Sequence, residues 1–114
     1  MIQCSEIEQT LLVELKEKTL DAHTCKDFRR EVQPELDSHN WVVFDLARLT
    51  FVDSSGLGVL LSCLRQVRDR GGDLKLCSLT VQVRAVFQLV RMHRLFDIYN
   101  TPEEATKAFD AVRA

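Results

Sequence analysis

Trp41-Val42-Val43-Phe44, closed by Asp45, is a run of four apolar residues whose β-branched and aromatic side chains favour a strand. An unbroken apolar run of this kind is expected of a strand covered on both faces or lying centrally in a parallel sheet. Beyond it, Leu57, Leu60, Leu61, Leu64 and Val67 recur at helical spacing, with Arg65, Gln66, Arg68 and Asp69 on the wet side. Gly71 and Gly72 end that helix. A strand that feeds a helix is the repeating unit of a parallel sheet, because parallel neighbours need a crossover.

The alternation extends in both directions. Toward the N-terminus, Leu11-Leu12-Val13-Glu14-Leu15 has strand length and Ile2 to Ile7 is a weaker strand. Asp21 then caps a helix whose inner face is Cys25, Phe28, Val32 and Leu36, stopped by the polar segment Asp37 to Asn40. Toward the C-terminus, Leu74-Lys75-Leu76-Cys77 alternates as a strand, and Thr80 caps a helix facing inward through Val83, Val86, Phe87 and Val90. A short strand is expected over Phe96–Tyr99. Thr101-Pro102-Glu103-Glu104 is a capping box with proline at the first helical position, opening a last helix with Ala105, Ala108, Phe109 and Val112 inward. This order predicts one α/β domain over residues 1–114, a mostly parallel four- to five-stranded sheet with about four helices packed on it.

Composition narrows the function. With 46% apolar and 28% charged residues, the 114-residue chain has material for one packed core. A net charge of −2 argues against binding that rests on neutralising many phosphates, so no direct nucleic-acid contact is expected. Charge is nevertheless uneven: residues 1–40 carry five Lys/Arg against nine Asp/Glu, and residues 61–94 carry seven against two. No apolar run approaches the roughly 18–20 residues that span a bilayer, so no membrane insertion is expected. Met1-Ile2-Gln3-Cys4-Ser5-Glu6 lacks the basic start and apolar core of a secretion signal, which points to the cytoplasm. There Cys4, Cys25, Cys63 and Cys77 stay reduced, and without C-x-x-C spacing they read as structural. His23 and Cys25 are close in sequence, but no further ligands can be assigned, and no metal is expected.

One segment is not explained by helix or strand packing: Phe51-Val52-Asp53-Ser54-Ser55-Gly56-Leu57-Gly58. Small hydroxyl residues and glycines at a helix start leave backbone open to close approach, and the free amides and dipole tolerate a negative group. Locally, Ser54 or Ser55 caps the helix, while Gly56 and Gly58 relieve crowding against neighbouring backbone. A dinucleotide fingerprint would need glycine where Leu61 stands, and the Gly-Lys-Ser/Thr ending of a P-loop is absent. A hydrolase elbow would need glycine where Asp53 precedes Ser55, and His23, His39 and His93 have no assignable triad partners. These mismatches argue against an enzyme.

On the residues Val43-Phe44-Asp45-Leu46, then Phe51 to Leu61 around Asp53-Ser54-Ser55-Gly56-Leu57-Gly58, then Gly71-Gly72-Asp73-Leu74-Lys75-Leu76, the sequence resembles the STAS domains. Within them it is similar to the bacterial anti-sigma-factor antagonists, over nearly the whole chain. Val83 to Phe96 also looks like the family's third helix and last strand. The resemblance implies a module without cofactor in which Ser55 is the phosphoacceptor for a serine-kinase anti-sigma factor. Unphosphorylated protein would sequester that kinase and free a sigma factor, and a metal-dependent serine phosphatase would reset it. Asp53 would assist phosphorylation by orienting the hydroxyl or taking its proton, and Ser54, Gly56, Leu57 and Gly58 would complete the contact, the glycines letting the partner approach.

Two segments depart from the family pattern. The turn before the first helix, often glycine-containing, reads Glu17-Lys18-Thr19-Leu20-Asp21. Arg91-Met92-His93-Arg94 also replaces a glycine-containing turn and reads either as a basic helix C-terminus or as a partner-specific basic patch. Val59, away from the Leu57–Val67 stripe, is expected to be exposed. The alternative to the switch is a STAS subunit of a membrane transporter or stress-signalling scaffold, with Ser55 only a cap and contact, since one fold supports both.

Overall fold

The computed structural model describes residues 1–113. Strands β1 (Ile2–Ile7) and β2 (Thr10–Leu15) form an antiparallel hairpin across Glu8 and Gln9, both at positive φ as a tight two-residue turn demands. The chain continues through β3 (Thr19–Leu20), α1 (Cys25–Asp37), β4 (Trp41–Asp45), β5 (Phe51–Val52) and α2 (Ser54–Asp69). It ends with β6 (Asp73–Cys77), α3 (Val81–Leu89), a 3-10 turn (Met92–Arg94), β7 (Ile98–Tyr99), α4 (Pro102–Lys107) and α5 (Asp110–Arg113). The main sheet has the order β1-β2-β4-β6-β7 and is parallel except for the first pair.

The opening apolar run is both central and covered on both faces. Val42 and Phe44 of β4 join Leu11, Val13, Leu74 and Leu76 in the larger core under α1, α2 and α3. Val43 points the other way, with Leu12 and Cys77, against Ala105 and Phe109 of the C-terminal helical segment. Helix α1 buries Phe28, Val32 and Leu36, and the Phe28 ring meets Phe44 edge-on at 5.7 Å. Helix α2 closes in a Schellman arrangement: Gly71 is left-handed at φ 86°, its N–H donates to the Arg68 carbonyl, and the Gly72 N–H donates to Val67.

Several expectations shift. Asp21 organises the turn before α1, one turn upstream of the helix, whose flanking residue is Thr24. The buried stripe of α2 is Gly56, Leu60, Cys63, Leu64 and Val67, so Leu57 and Leu61 sit at its margin, and Val59 is half-buried against the larger core. Helix α3 ends at Leu89, which leaves Val90 49% exposed instead of facing inward. Arg91 does stand at the helix C-terminus, just past the cap Val90: at φ 62° it takes the left-handed conformation usual for glycine there, its N–H donates to the Gln88 carbonyl at 3.2 Å, and it leads into the 3-10 turn. The strand over Phe96–Tyr99 shortens to Ile98–Tyr99, with Phe96 buried in the approach to it. The last helix breaks between Lys107 and Asp110, so Ala105 and Phe109 are buried while Ala108 and Val112 are exposed.

Candidate functional site

The segment Phe51 to Gly58 is positioned by a pairing that local sequence does not announce. β3 and β5 form a separate parallel pair, Thr19 opposite Phe51 and Leu20 opposite Val52. β5 leads into α2 across Asp53 alone and β3 into α1 through residues 21–24, so the loop before α1 lies beside the start of α2. Lys18 carbonyl accepts from the Thr50 and Phe51 amides at 2.8 and 3.1 Å, and Leu20 carbonyl accepts from Asp53 N–H at 3.3 Å.

Asp53, not Ser54 or Ser55, caps α2. Its backbone is extended, and its Oδ1 accepts from the Gly56 N–H at 2.9 Å, the bond an N-cap makes. Its Oδ2 accepts from the Ala22 N–H at 3.1 Å. One carboxylate therefore ties the start of α2 to the loop before α1. Ser54 and Ser55 become the first two helical residues, and both are exposed. Among the described residues neither hydroxyl is engaged in a hydrogen bond. Their amides are among those a helix start leaves without intrahelical acceptors, at the positive end of the dipole.

The two glycines part company. Gly56 is buried, and a Cβ there would stand 2.1 Å from the Leu20 carbonyl oxygen and 2.7 Å from Val52 Cγ2. Its missing side chain admits the chain's own β3, so the close approach is internal and not a partner's. Gly58 has nothing within 4 Å of such a Cβ and is exposed. Leu57 is half-buried against the larger core, so the exposed residues of the segment are Phe51, Ser54, Ser55 and Gly58.

Residues 21–24 were not singled out for the site, although Asp21 and Thr24 are turn formers. Asp21 Oδ1 accepts from the His23 and Thr24 amides at 2.9 and 3.1 Å, and the Asp21 N–H donates to Thr24 Oγ1 at 3.0 Å. Desolvation pulls the Asp21 carboxyl up, but the His23 and Thr24 amides, the Thr24 hydroxyl and the nearby His23 outweigh it and hold the group below its ordinary value. A carboxyl lowered in the folded state lends order above its unfolded value, about 3.9, and loses it as pH falls through the folded value. Protection of the His23 and Thr24 amides is thus expected to be constant above about pH 4 and to fall below it, as followed by amide exchange.

Among the described residues no group of three or more His, Cys, Asp or Glu is arranged to hold a metal ion. Burial pushes the Cys63 thiol up to about 11, against the pull of Arg29, and the Cys77 thiol up to about 12. All four cysteines are free, with Cys4 and Cys25 half-buried. A maleimide at about pH 8 is expected to label only Cys4 and Cys25 in the native chain and all four after unfolding, as counted by intact mass.

The chain as a whole is similar to known proteins. The STAS domain family profile matches residues 1–105. This chain belongs to the STAS family. BtrV of Bordetella bronchiseptica, assigned as an anti-sigma factor antagonist, is 31% identical over 100 residues, covering 87% of this chain and 86% of BtrV. A crystal structure from Thermotoga maritima, assigned likewise, superposes with a TM-score of 0.83 at 25% identity, covering 94% of this chain and 92% of that one. SpoIIAA, an anti-sigma factor antagonist, matches in its unphosphorylated form with a TM-score of 0.70 at 25% identity, over 100% of this chain and 99% of that one. The phosphorylated form of SpoIIAA, from Bacillus, gives 0.71 at 24% identity, over 95% and 98%. The STAS fold also occurs in a murine anion transporter, Solute Carrier 26 member A9, matched at 0.74 with 19% identity over 94% of this chain and 18% of that one. Among the described residues of this STAS chain, no helix is long and apolar enough to cross a membrane.

Proposed function

We propose that residues 1–114 form one STAS domain acting in the cytoplasm as a phosphorylation-switched anti-sigma-factor antagonist. Unphosphorylated, it sequesters an anti-sigma factor of the serine-kinase type and so releases a sigma factor. Phosphorylated on Ser55, it lets the kinase go until a metal-dependent serine phosphatase removes the group. The domain performs no turnover and takes no cofactor.

The observation that carries this reading is the Ser55 hydroxyl, exposed and unengaged among the described residues on the second position of α2. A phosphate there adds about −1.5 to −2 charge, which the helix N-terminus accommodates. A protein surface closed over it would have to desolvate that charge, so binding is lost without refolding. Ser54 and Gly58 are exposed with the acceptor, Gly56 is buried against Leu20, and Leu57 is half-buried. Both Asp53 oxygens already accept backbone N–H bonds, which favours a positioning role over proton removal. SpoIIAA, matched in both phosphorylation states, supports the assignment.

The test is intact-mass and fragment mapping of the protein isolated from its own cells, with and without phosphatase treatment. A single phosphate on Ser55 that the phosphatase removes is the expected result. Its absence across growth and stress conditions would turn the assignment to the second reading, a STAS subunit of a transporter or stress-signalling scaffold. The fold likeness to the anion transporter is the observation behind that alternative.

A further inference from the structure

Helix α3 carries apolar side chains on two opposite faces. Val83 and Phe87 are fully buried in the larger core, and Val86 packs at its margin. On the outside, Val81, Ala85 and Leu89 follow one another at four-residue spacing, which lines them up as a ridge along the helix. Val81 and Leu89 are each 83% exposed, and Val90 and Leu95 continue the apolar surface past the helix end. A surface helix whose inner face is already satisfied has no structural need of a second apolar stripe.

The charged side chains of α3 and the 3-10 turn themselves have one sign. From Leu74 to Phe96 the chain contains no Asp or Glu. Arg84, Arg91 and Arg94 have no carboxylate partner among the described residues, whereas Arg30 and Arg68 are paired with Asp27 and Asp73. Arg91 and Arg94 are exposed on the 3-10 turn at the foot of the ridge.

We propose that the outer ridge of α3, with Arg91 and Arg94, docks an amphipathic helix of a partner protein whose apolar stripe is flanked by acidic residues. A ridge of side chains four apart seats in the groove of a facing helix, and guanidinium forks match carboxylates in geometry as well as charge. Pairing with α3 of a second copy would bring Arg84, Arg91 and Arg94 toward their own images with no acid to offset them. A lipid surface fits less well, because Val83 and Phe87 anchor the helix in the core and leave only a narrow stripe to offer. The surface is chemically independent of the Ser55 hydroxyl, so its fate is separate from that of the switch.

The test titrates the isotope-labelled full chain with a helical peptide bearing leucines at heptad positions a and d and glutamates at e and g. Amide shifts are expected at Val81, Ala85, Leu89, Arg91 and Arg94. Leu89→Asp, and Arg91→Glu with Arg94→Glu, should each weaken binding by about tenfold or more. The double Lys variant, which keeps the charge but loses the guanidinium fork, should weaken it less than the double Glu variant, and Ser55→Ala should stay within about threefold. Leu89, Arg91 and Arg94 are exposed, so an unchanged melting temperature certifies the folding of each variant. The proposal is overturned if the shifts fall elsewhere, or if a lysine-flanked peptide of the same stripe binds equally. It is overturned equally if phosphatidylglycerol vesicles, or a second copy of the chain at rising concentration, cover these residues more tightly than the acidic peptide.

Discussion

Gly56→Ala is expected to destabilise the domain by about 1–3 kcal/mol, the usual range for forcing a methyl group into filled space. The new Cβ would stand 2.1 Å from a backbone oxygen, Leu20, and 2.7 Å from Val52 Cγ2. Backbone gives way less readily than the end of a long side chain, so the β3–β5 pair must move off α2. That movement also separates Asp53 from Ala22, the 3.1 Å bond that holds the loop before α1. Gly58→Ala should do the opposite. With nothing within 4 Å of its Cβ, alanine there only restrains the unfolded chain and favours the helix, a gain of about 0.5–1 kcal/mol. Urea denaturation of the two variants measures the contrast. Equal midpoints would mean that β3 does not pack on α2 through Gly56.

Ser55→Asp is expected to weaken binding to the cognate serine-kinase anti-sigma factor at least about a hundredfold, whereas Ser55→Ala retains it. That factor corresponds to about 2.8 kcal/mol, and an uncompensated charge buried at an interface costs about 3–5 kcal/mol. Ser55 is exposed on the first turn of α2, so neither substitution removes a buried contact. Fold stability should stay within about 0.5 kcal/mol, which separates loss of binding from loss of structure. Calorimetry with the purified kinase reads the outcome. Equal affinities for the two variants would remove Ser55 from the interface.

The long periodic segments were legible because each carries its own burial pattern. Trp41–Phe44 announces a covered strand, and Phe28, Val32 and Leu36 announce a helix face, with no knowledge of neighbours. The β3–β5 pair was not legible, since two residues make no periodicity and the partners are distant in sequence. Its absence misdirected the site reading as well. Without Leu20 and Ala22 in place, Asp53 could not be seen to occupy both oxygens, the serines competed for the cap, and the backbone that Gly56 was expected to make room for had no identity. The C-terminal helix failed for another reason: its capping box was real, as the Thr101 bond to the Glu104 amide attests, but capping fixes where a helix begins and not how far it runs.

The Asp53 bridge bears on time. Two loops tied through one carboxylate, with a backbone oxygen lodged beneath Gly56, leave the acceptor region little room to rearrange. Phosphate arrival and departure should therefore register without a lag for refolding. A cell using such a domain would set the duration of its response by the relative activities of the kinase and the phosphatase.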